Sequence, residues 1–487
     1  MNEARDSVSV EIEYKGITLR IPEAFVSGGK RKGTDDGCKP VLATSVSTDT
    51  RTIEPGALFF ALSGEKFDGH EYAGIAAGKG AAAIIVEQEA AALFARFPKM
   101  AETDALVIEV SSALETLQDL AKQYRSILGI PVVGVTGSNG KTTTKNLVAA
   151  VLSKKYKTAA TRGNLNNHIG LPLSILHMDP SVEMGVFEAG INHVGEMAPL
   201  SEIMQPDAVV VTNIGTAHIE YFGSKEAIAR EKGLLGDSSP VGAKLFIPAS
   251  EQFAATVASS SPQMELCKVD QDEAFLVEVA DLLEAAPYPY FNAPHVMADA
   301  LLAASVGHSY SISAQDIADA IVSTKIESGR FDVHAVSEGL IVIDDTYNAN
   351  PDSVIASLEA AKSMYPDDAL VLVLGSLKEQ GEFLSQGYSR ILETASELEV
   401  KEVFLVGIEP GEVHGANQPL WAAPAPRAHY FSTKQLCLDI LTTFLEERAV
   451  LKNGQAAGAN PVRTVVLVKG SRSAQMEEVV AVIAPAK

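Results

Sequence analysis

The chain has 487 residues, a formal net charge of −23 and a hydrophobic content of 46%. The length predicts about three domains, and the apolar content excludes a largely disordered chain. The acidic balance argues against nucleic acid as the ligand, because no basic excess is available to neutralise phosphates. Three cysteines without metal-ligand spacing, a polar N-terminus and the lack of a membrane-length apolar run predict a cytoplasmic protein with no membrane span.

The first third of the chain predicts a small α/β domain over residues 1–125. Its Gly-rich, polar segment Ser27–Pro40 is typical of an exposed loop or a local insertion. Short apolar strands are predicted at Ala57–Leu62 and Ala81–Glu87, with a helix at Tyr72–Lys79 between them. A longer helix over Ser111–Leu128 leads to the domain boundary.

Two further segments, residues 126–325 and 326–487, alternate strands with helices, a pattern typical of parallel sheets. The predicted strands of the first segment are Pro131–Thr136, Met184–Glu188, Asp207–Thr212 and Lys244–Ile247. Those of the second segment are Leu340–Ile343, Leu370–Leu374, Val403–Val406 and Thr464–Val468. The predicted helices are Thr142–Lys154, Ser353–Met364, Glu382–Leu398 and Lys434–Glu447, and Pro410–Pro426 is predicted to be a loop. The predicted fold class is therefore α/β, with a central, doubly wound, mostly parallel sheet and a C-terminal Rossmann-like domain.

The segment Pro131–Thr144, PVVGVTGSNGKTTT, leads from an apolar strand through a Gly-rich turn into a helix. Small residues allow backbone N–H groups to converge on phosphate oxygens, and the helix N-terminus adds a partial positive charge. Lys141 can reach the β- and γ-phosphates, and Thr142 can bind Mg²⁺. The strict pattern G-x-x-x-x-G-K-[ST] is missed because Val135 occupies the first glycine position. A glycine-rich turn that binds nothing is the alternative.

Three residues at or after predicted strand ends, Glu188, His218 and Lys232, follow this loop. Open α/β sheets bind ligands at the carboxyl ends of their strands, and a carboxylate is a ligand that Mg²⁺ prefers. Each residue alone fits a simpler role: a surface acid, a turn residue and a solvated helix lysine. Asn166 and Asn167, in GNLNNHIGLP, either satisfy backbone groups of a loop or lie beside the γ-phosphate or a sugar substrate.

The last third contains two polar segments that follow predicted strands. Ile343–Ser353, IDDTYNANPDS, is either an N-capped turn, with Asp352 or Ser353 as the cap, or a binding segment. Arg330 shortly precedes it and suits contact with phosphate or carboxylate. Lys469 and Arg472, in VKGSRS, could hold an anionic substrate or be solvated.

In combination, these motifs resemble the Mur ligase family of ATP-dependent amide-bond-forming enzymes. The resemblance extends along essentially the whole chain, from Ser47–Arg51 (STDTR) and Phe67–His70 (FDGH) through FEAGIN and NIGTAHIEYFGS to LVKGSR. DDTYNANP together with NNHIGLP is similar to the members that join D-alanyl-D-alanine to UDP-N-acetylmuramoyl-tripeptide in peptidoglycan synthesis, through an acyl phosphate. A member that adds lysine or diaminopimelate is the alternative, and the third residue of the tripeptide stays open.

The resemblance implies a role for each matching residue, and it implies a monomer. The residues that would cradle the ATP phosphates are Thr136, Gly137, Ser138, Asn139, Gly140, Lys141 and Thr142. Those that would lie against the nucleotide are Arg330, Asp345, Tyr347 and Asn348. Two Mg²⁺ ions would be held by Thr142, Glu188, His218 and a carbamylated Lys232, and the catalytic residues would be Lys141, His218 and Lys232. The UDP-linked substrate would be bound by Ser47, Thr48, Asp68, Gly69, His70, Asn166 and Asn167.

The sequence departs from the family pattern at several positions. Val296 stands where an asparagine contacts adenine, and His168, Tyr388 and Gly375–Gly381 (GSLKEQG) also differ. Two functions of other classes are alternatives: a nucleotide-driven switch for a protein partner, and an inactive relative that only binds UDP-muramyl peptides. The second α/β domain with DDTYNANP argues against the switch, and the complete set of predicted catalytic and metal-binding residues argues against the inactive relative.

Overall fold

The computed structural model describes residues 10–22, 26–30, 40–64, 67–87, 90–98, 104–286, 289–325, 327–414, 427–453 and 462–485. Within them, strands and helices form three α/β domains in chain order, each built on sheets of its own. The α/β fold class and the mostly parallel central sheet are therefore confirmed. Within the described part of the chain, no helix combines the length and the apolar character that crossing a bilayer requires.

The N-terminal domain contains two main sheets. Its elements are β1 (Val10–Tyr14), β2 (Ile17–Ile21), β3 (Val26–Lys30), β4 (Val41–Ala43), β5 (Ser45–Ser47), β6 (Ala57–Phe60), β7 (Ser63–Gly64), β8 (Phe67–Asp68), α1 (Ala73–Gly78), β9 (Ala83–Val86), α2 (Ala90–Arg96), β10 (Leu106–Val110) and α3 (Ala113–Leu128). The strand orders are β2-β1-β4 and β3-β10-β9-β6-β5, with β7 and β8 as a separate pair. Alternate residues of the β1–β2 hairpin (Ile12, Tyr14, Leu19 and Ile21) are fully buried, which is the two-residue period of a half-buried sheet.

One prediction in this domain is wrong. Residues 27–30 of the segment predicted as a loop belong to β3 (Val26–Lys30), which pairs antiparallel with β10. The pairing uses backbone groups, so the sequence VSGGK needs no apolar alternation to join the sheet. Residues 31–39 of the same segment lie outside the described residues.

The central domain has a six-stranded, entirely parallel sheet with the order β12-β13-β11-β14-β15-β16. Its elements are β11 (Val132–Thr136), α4 (Lys141–Leu152), β12 (Thr158–Ala160), α5 (Gly170–Leu176), β13 (Met184–Glu188), α6 (Met197–Met204), β14 (Ala208–Val211), α7 (Ile219–Phe222), α8 (Lys225–Gly233), β15 (Lys244–Pro248), α9 (Ala254–Ser259), β16 (Glu265–Val269), α10 (Ala274–Glu284), α11 (Pro294–Ser309) and α12 (Ala314–Ser323). Every residue of β11, β13 and β14 is buried, because helices cover both faces of the sheet. The chain runs first to one side of β11 and then to the other. The carboxyl end of β11 is therefore a topological switch point, where such sheets bind ligands.

The C-terminal domain has a six-stranded sheet with the order β17-β18-β22-β19-β20-β21, in which only the edge strand β17 is antiparallel. Its elements are β17 (Asp332–Ser337), β18 (Leu340–Asp345), α13 (Pro351–Met364), β19 (Ala369–Gly375), α14 (Leu384–Glu397), β20 (Glu402–Val406), α15 (Pro410–His414), β21 (Arg427–Phe431), α16 (Lys434–Asn453), β22 (Thr464–Lys469) and α17 (Glu477–Ile483). Pro410–His414 is thus helical and not a loop, and residues 415–426 lie outside the described residues.

The cap of α13 also differs from the prediction. Asn350, not Asp352 or Ser353, is the N-cap, since its side chain accepts a hydrogen bond of 3.0 Å from the Ser353 N–H. The Ser353 hydroxyl in turn accepts the Asn350 N–H at 3.1 Å. Pro351 occupies the first helical position, where its missing N–H costs nothing.

Side chains of the N-terminal domain form hydrogen bonds with the central domain at the carboxyl end of α5. The Tyr14 hydroxyl donates to the Leu176 carbonyl at 2.7 Å, and the Tyr124 hydroxyl donates to the Met178 carbonyl at 2.8 Å. The Lys15 ammonium donates to both carbonyls, at 3.0 and 2.8 Å. These donors satisfy carbonyls that a helix end leaves without intrahelical partners, and a cation is favourable there.

Candidate active site

A cleft of about 1070 Å³ lies between the central and C-terminal domains. Its walls are the segments that follow β11, β13 and β14 on one side and those that follow β18 and β22 on the other. Carboxyl ends of parallel strands from two sheets therefore face each other across one space, and the predicted phosphate loop lies at its floor.

The phosphate loop, Gly137–Gly140, is held by the segment that follows β14. The N–H groups of Ser138 and Asn139 donate to the carbonyl and the side chain of Asn213, at 2.9 and 3.0 Å. Gly137 has a φ of 148°, and a Cβ at this position would lie 1.8 Å from the Thr212 Oγ1, so only glycine fits. The loop is consequently a rigid backbone turn directed at the first turn of α4.

Lys141 begins α4, whose N-cap, Gly140, supplies no side-chain cap. The Lys141 ammonium donates to the carbonyls of Gly137 and Ser138, at 3.0 and 3.2 Å, and so lies over the loop. Burial lowers the pKa of Lys141, and the nearby Glu188 carboxylate acts in the opposite direction. The uncapped helix N-terminus and this cation both place positive charge at the loop, which favours a negatively charged ligand there.

Thr142 and Glu188 are in direct contact at the centre of the site. The Thr142 hydroxyl donates to one Glu188 oxygen at 2.8 Å, and the Asn166 amide donates to the other at 2.7 Å. The Arg330 guanidinium donates to the Thr142 hydroxyl at 2.9 Å. Glu188 is 1% exposed, so its charge is held by these contacts and not by bulk water.

Lys232 and His218 approach this centre from two other elements. Lys232, on α8, is 2% exposed, which excludes the solvated helix lysine as its structural role. Burial lowers its pKa well below the ordinary value, the Lys141 charge adds to that effect, and Glu231 and Glu188 oppose it. His218 lines the cleft at a φ of 60°, with its Nδ1 2.6 Å from a Glu379 oxygen.

The C-terminal wall carries the remaining predicted nucleotide contacts. The Arg330 guanidinium stacks over the Tyr347 ring, 4.0 Å from its centroid. Asp345 forms an ion pair with the buried ammonium of Lys469, which also donates to the Asn348 carbonyl at 3.2 Å. All five side chains line the cleft, so Lys469 is a paired wall residue and not a solvated one.

The predicted substrate residues divide into two groups. Asn166 and Asn167 line the cleft, but Asn167 uses its side-chain oxygen to accept the N–H groups of Ile169 and Gly170. The other group lies in the N-terminal domain and does not line this cleft; it consists of Ser47, Thr48, Asp68, Gly69 and His70. His70 is 1% exposed, its Nδ1 lies 2.6 Å from Asp68, and its Nε2 accepts the Glu87 N–H at 3.0 Å. This histidine is therefore a fully paired part of the N-terminal fold.

Two residues that line the cleft, Asp299 and Gln380, are not among the site residues predicted from the sequence. Asp299, on α11, is 6% exposed and is the single acid in the helix sequence PHVMADALLAASVGHS, an isolation that could have drawn attention to it. Gln380 is 2% exposed, and its side-chain oxygen has no hydrogen-bond partner. Of the departures from the family pattern, Val296 is 1% exposed in the core, and Tyr388 is a buried residue whose hydroxyl accepts the Leu377 N–H.

Comparison with known protein families shows to which family the chain belongs. Three family models match the chain in succession. The model described as "Mur ligase family, catalytic domain" matches residues 43–125, the one described as "Mur ligase middle domain" matches residues 135–277, and the one described as "Mur ligase, glutamate ligase domain" matches residues 329–472. The chain belongs to the Mur ligase family. The resemblance inferred from the sequence motifs is thereby confirmed.

Individual members of the Mur ligase family match along nearly the full chain. UDP-N-acetylmuramoyl-tripeptide–D-alanyl-D-alanine ligase of Bacillus subtilis is 32% identical over 89% of this chain and 92% of its own length. The ligase of the same name from Escherichia coli is 28% identical over 93% of this chain and 96% of its own length. Among solved structures, MurF from Acinetobacter baumannii has a TM-score of 0.75 at 25% identity, covering 91% of this chain and 94% of its own. MurF ligase from Thermotoga maritima in complex with ADP has a TM-score of 0.69 at 25% identity, covering 90% of this chain and 96% of its own.

Proposed function

We propose that this Mur ligase joins D-alanyl-D-alanine to UDP-N-acetylmuramoyl-tripeptide with ATP as the energy source, releasing ADP and phosphate. The observation that carries the proposal is the full-length similarity to ligases named for this reaction. The three domains supply one ligand site each in this proposal: the UDP end at residues 1–125, ATP at 126–325 and the dipeptide at 326–487. A monomer suffices, since one chain contains all three sites.

The floor of the cleft is the ATP site in this proposal. The first N–H groups of α4, the Lys141 ammonium and the Arg330 guanidinium offer donors to phosphate oxygens. Asp345, Tyr347 and Asn348 form the opposite wall of the nucleotide site. A relative of known structure contains ADP, which supports the same ligand here.

The donor set around Glu188 fits Mg²⁺. A buried carboxylate and a threonine hydroxyl are hard oxygen ligands, and they lie beside the phosphate loop. Among the described residues, no group of three or more His, Cys, Asp or Glu side chains converges as a metal site. Phosphate oxygens would therefore complete the coordination, with Thr142, Glu188, His218 and Lys232 as the protein's contribution to two ions. When bound, Mg²⁺ supplies positive charge to the oxygens of the transferred phosphoryl group.

We infer that Lys232 is carbamylated in the active enzyme. Its buried, pKa-lowered amine is available in the neutral, nucleophilic form. The neutral nitrogen attacks the carbon of CO₂, a C–N bond forms as one C–O π bond breaks, and one proton is released, so that a neutral amine becomes an anionic oxygen ligand. The change would remove the repulsion between the Lys232 and Lys141 ammonium groups, and a Mg²⁺ ion between the carbamate and Glu188 would offset the repulsion between those two anions.

The proposed reaction has two chemical steps, formation of an acyl phosphate and attack on it by an amine. The terminal carboxylate of the UDP-linked tripeptide attacks the γ-phosphorus, and ADP leaves. The amine of D-alanyl-D-alanine then attacks the acyl phosphate carbon, and phosphate leaves. Both steps place negative charge on oxygens near Lys141, which stabilises it electrostatically. His218, held by Glu379, is the candidate acceptor for the proton of the attacking amine.

The substrate end is assigned to Ser47, Thr48 and the segment Asp68–His70, with Asn166 and Asn167 nearer the reacting carboxylate. The paired state of His70 supports an indirect role, in which it shapes the loop that carries Asp68 and Gly69. Seating the C-terminal domain over the cleft would exclude water from the acyl phosphate.

The deciding experiment measures ADP release with UDP-muramoyl-tripeptide and one of three acceptors: D-alanyl-D-alanine, D-alanine or meso-diaminopimelate. We expect release only with D-alanyl-D-alanine, and tripeptides ending in lysine or diaminopimelate identify the natural third residue. Activity with UDP-muramoyl-dipeptide plus lysine or diaminopimelate would instead favour the related ligase. ADP release that needs no acceptor would favour a nucleotide switch.

A further inference from the structure

Asp352 connects the C-terminal domain to the central domain through one carboxylate. It is the second residue of α13, and one of its oxygens accepts the Thr216 N–H at 2.6 Å and the Thr216 hydroxyl at 2.8 Å. The Lys225 ammonium, at the start of α8, lies 3.6 Å from the same oxygen. The other oxygen accepts the Arg390 guanidinium at 2.8 Å, within the C-terminal domain. Asp352 is therefore bonded to both sides of the cleft at once.

The backbone of the central domain leaves space for the Asp352 carboxylate at Gly215. A Cβ at Gly215 would lie 2.8 Å from the Asp352 oxygen, so a larger residue there would displace the Asp352 carboxylate from its present position. Two further contacts cross the same boundary: the Asn350 amide donates to the Asn139 side chain at 2.7 Å, and the Gln380 amide donates to the Thr216 carbonyl at 3.3 Å. Apart from the Lys225 ion pair at the start of α8, each of these contacts reaches either the phosphate loop or residues 213–218.

The charge of Asp352 strengthens these bonds. Burial by itself would raise the pKa of this carboxyl, but Lys225, Arg390 and Thr216 outweigh burial and hold the pKa below its ordinary value. Hydrogen bonds to an ionised group are about twice as strong as neutral ones. An ionised Asp352 thus favours the arrangement in which the two domains are seated together.

We propose that Asp352 is a positioning residue that fixes residues 213–218 and the start of α8 when the C-terminal domain closes on the central domain. Thr216 lies two residues before His218, and Lys225 begins the helix that carries Lys232. Closure therefore determines where both of those side chains lie. The consequence for turnover rests on the function proposed above, whereas domain seating can be measured without any substrate.

A purely local role for Asp352 makes a different prediction. An acidic residue in the first turn of a helix stabilises that helix through its dipole. If that were its main role, replacement would lower thermal stability and leave domain seating unchanged. A matched control is available in Asp368, which pairs with Arg463 at 2.7 Å inside the C-terminal domain and is similarly protected from solvent.

The test compares Asp352→Asn with Asp368→Asn in the full chain. We expect Asp352→Asn to lower kcat about 10- to 100-fold, with KM for ATP changed less than about threefold, because a lost charge-assisted hydrogen bond is worth that factor. Thr216→Ser, which keeps the hydroxyl, should retain activity within about threefold, and Thr216→Val should fall between them. Asp368→Asn should match the wild-type kcat.

Domain seating is measured in parallel by Förster transfer between dyes on the central and C-terminal domains, without substrates. We expect a broader and longer distance distribution for Asp352→Asn and an unchanged one for Asp368→Asn. The proposal is overturned if both variants give the wild-type distribution, or if Asp352→Asn loses stability and activity in the same proportion as Asp368→Asn. If the wild type lacks ligase activity, the proposed function fails, but the distance measurement still decides this inference.

Discussion

Asp299 offers a quantitative test of the cleft's electrostatics. Burial raises the pKa of this carboxyl to about 8, and the Thr144 hydroxyl and the Arg330 charge oppose the rise only in part. A Cβ at Gly140 would lie 2.5 Å from one Asp299 oxygen, so the carboxyl lies directly against the end of the phosphate loop. A pKa of about 8 favours the protonated carboxyl at neutral pH, so the group adds little negative charge beneath the phosphate loop.

The pKa predicts how stability depends on pH. An unfolded aspartate titrates near 3.9, so the unfolded chain loses this proton between about pH 4 and 8 while the folded chain keeps it. The contribution of Asp299 to stability is complete below about pH 4 and is lost as pH rises through about 8. The full slope is about 1.4 kcal/mol per pH unit, but the folded group is half titrated at pH 8, so the loss between pH 6 and pH 8 is about 2 kcal/mol. Asp299→Asn removes this loss, because an amide does not titrate.

The assay is urea unfolding of the wild type and Asp299→Asn at pH 6 and pH 8, followed by circular dichroism. The stability difference between variant and wild type should shift by about 2 kcal/mol in favour of the variant at the higher pH. Other titrating groups cancel in this difference, and Asp281→Asn, at an exposed position on α10, is the matched control for replacing an aspartate by asparagine. Equal differences at the two pH values would mean that Asp299 is ionised in the folded protein and would refute the reasoning.

Two further predictions concern the lysines of the site. Lys141→Ala should reduce ADP formation by at least about 100-fold, since it removes the cation over the phosphate loop, while calorimetry still detects binding of the UDP-linked substrate; full activity would exclude the phosphate-loop assignment. Lys232→Ala should lose turnover in bicarbonate-depleted buffer and recover part of it with an added short carboxylate such as acetate. An unimpaired Lys232→Ala variant would contradict the carbamate.

The sequence predicts a strand well where burial is complete. The strand Met184–Glu188 is predicted with its observed bounds. Helices cover both of its faces, so its residues are almost all apolar, and such a run can be recognised from the local sequence alone. Edge strands were harder. β16 has mostly exposed or half-exposed residues, and β3 is rich in glycine, so neither carries an apolar pattern. Their pairing depends on a neighbouring strand edge that local sequence does not contain.

The same distinction applies to the site. The phosphate loop is formed by one continuous segment, so the strand, the glycines, the lysine and the helix can all be predicted from the same stretch of sequence. Asp352 acts through Thr216, 136 residues away, and Asn350 acts through Asn139, 211 residues away. Local sequence assigned Asp352 a possible capping role, whereas the fold assigns capping to Asn350 and leaves Asp352 free to cross the cleft. Long-range pairing of this kind follows only from the arrangement of the domains.

The net charge of −23 raises the question of how an acidic protein binds two anionic substrates. Two of the cations that the sequence offered are neutralised, since Lys469 pairs with Asp345 and the exposed Arg472 pairs with Glu477. By contrast, the Lys141 ammonium donates to the backbone carbonyls of Gly137 and Ser138, and it lies where the N-terminus of α4 adds its own partial charge. A protonated Asp299 preserves that positive potential. Attraction for phosphate is therefore a local property of the end of α4 and the nearby Arg330 guanidinium, and it does not depend on the net charge of the whole surface.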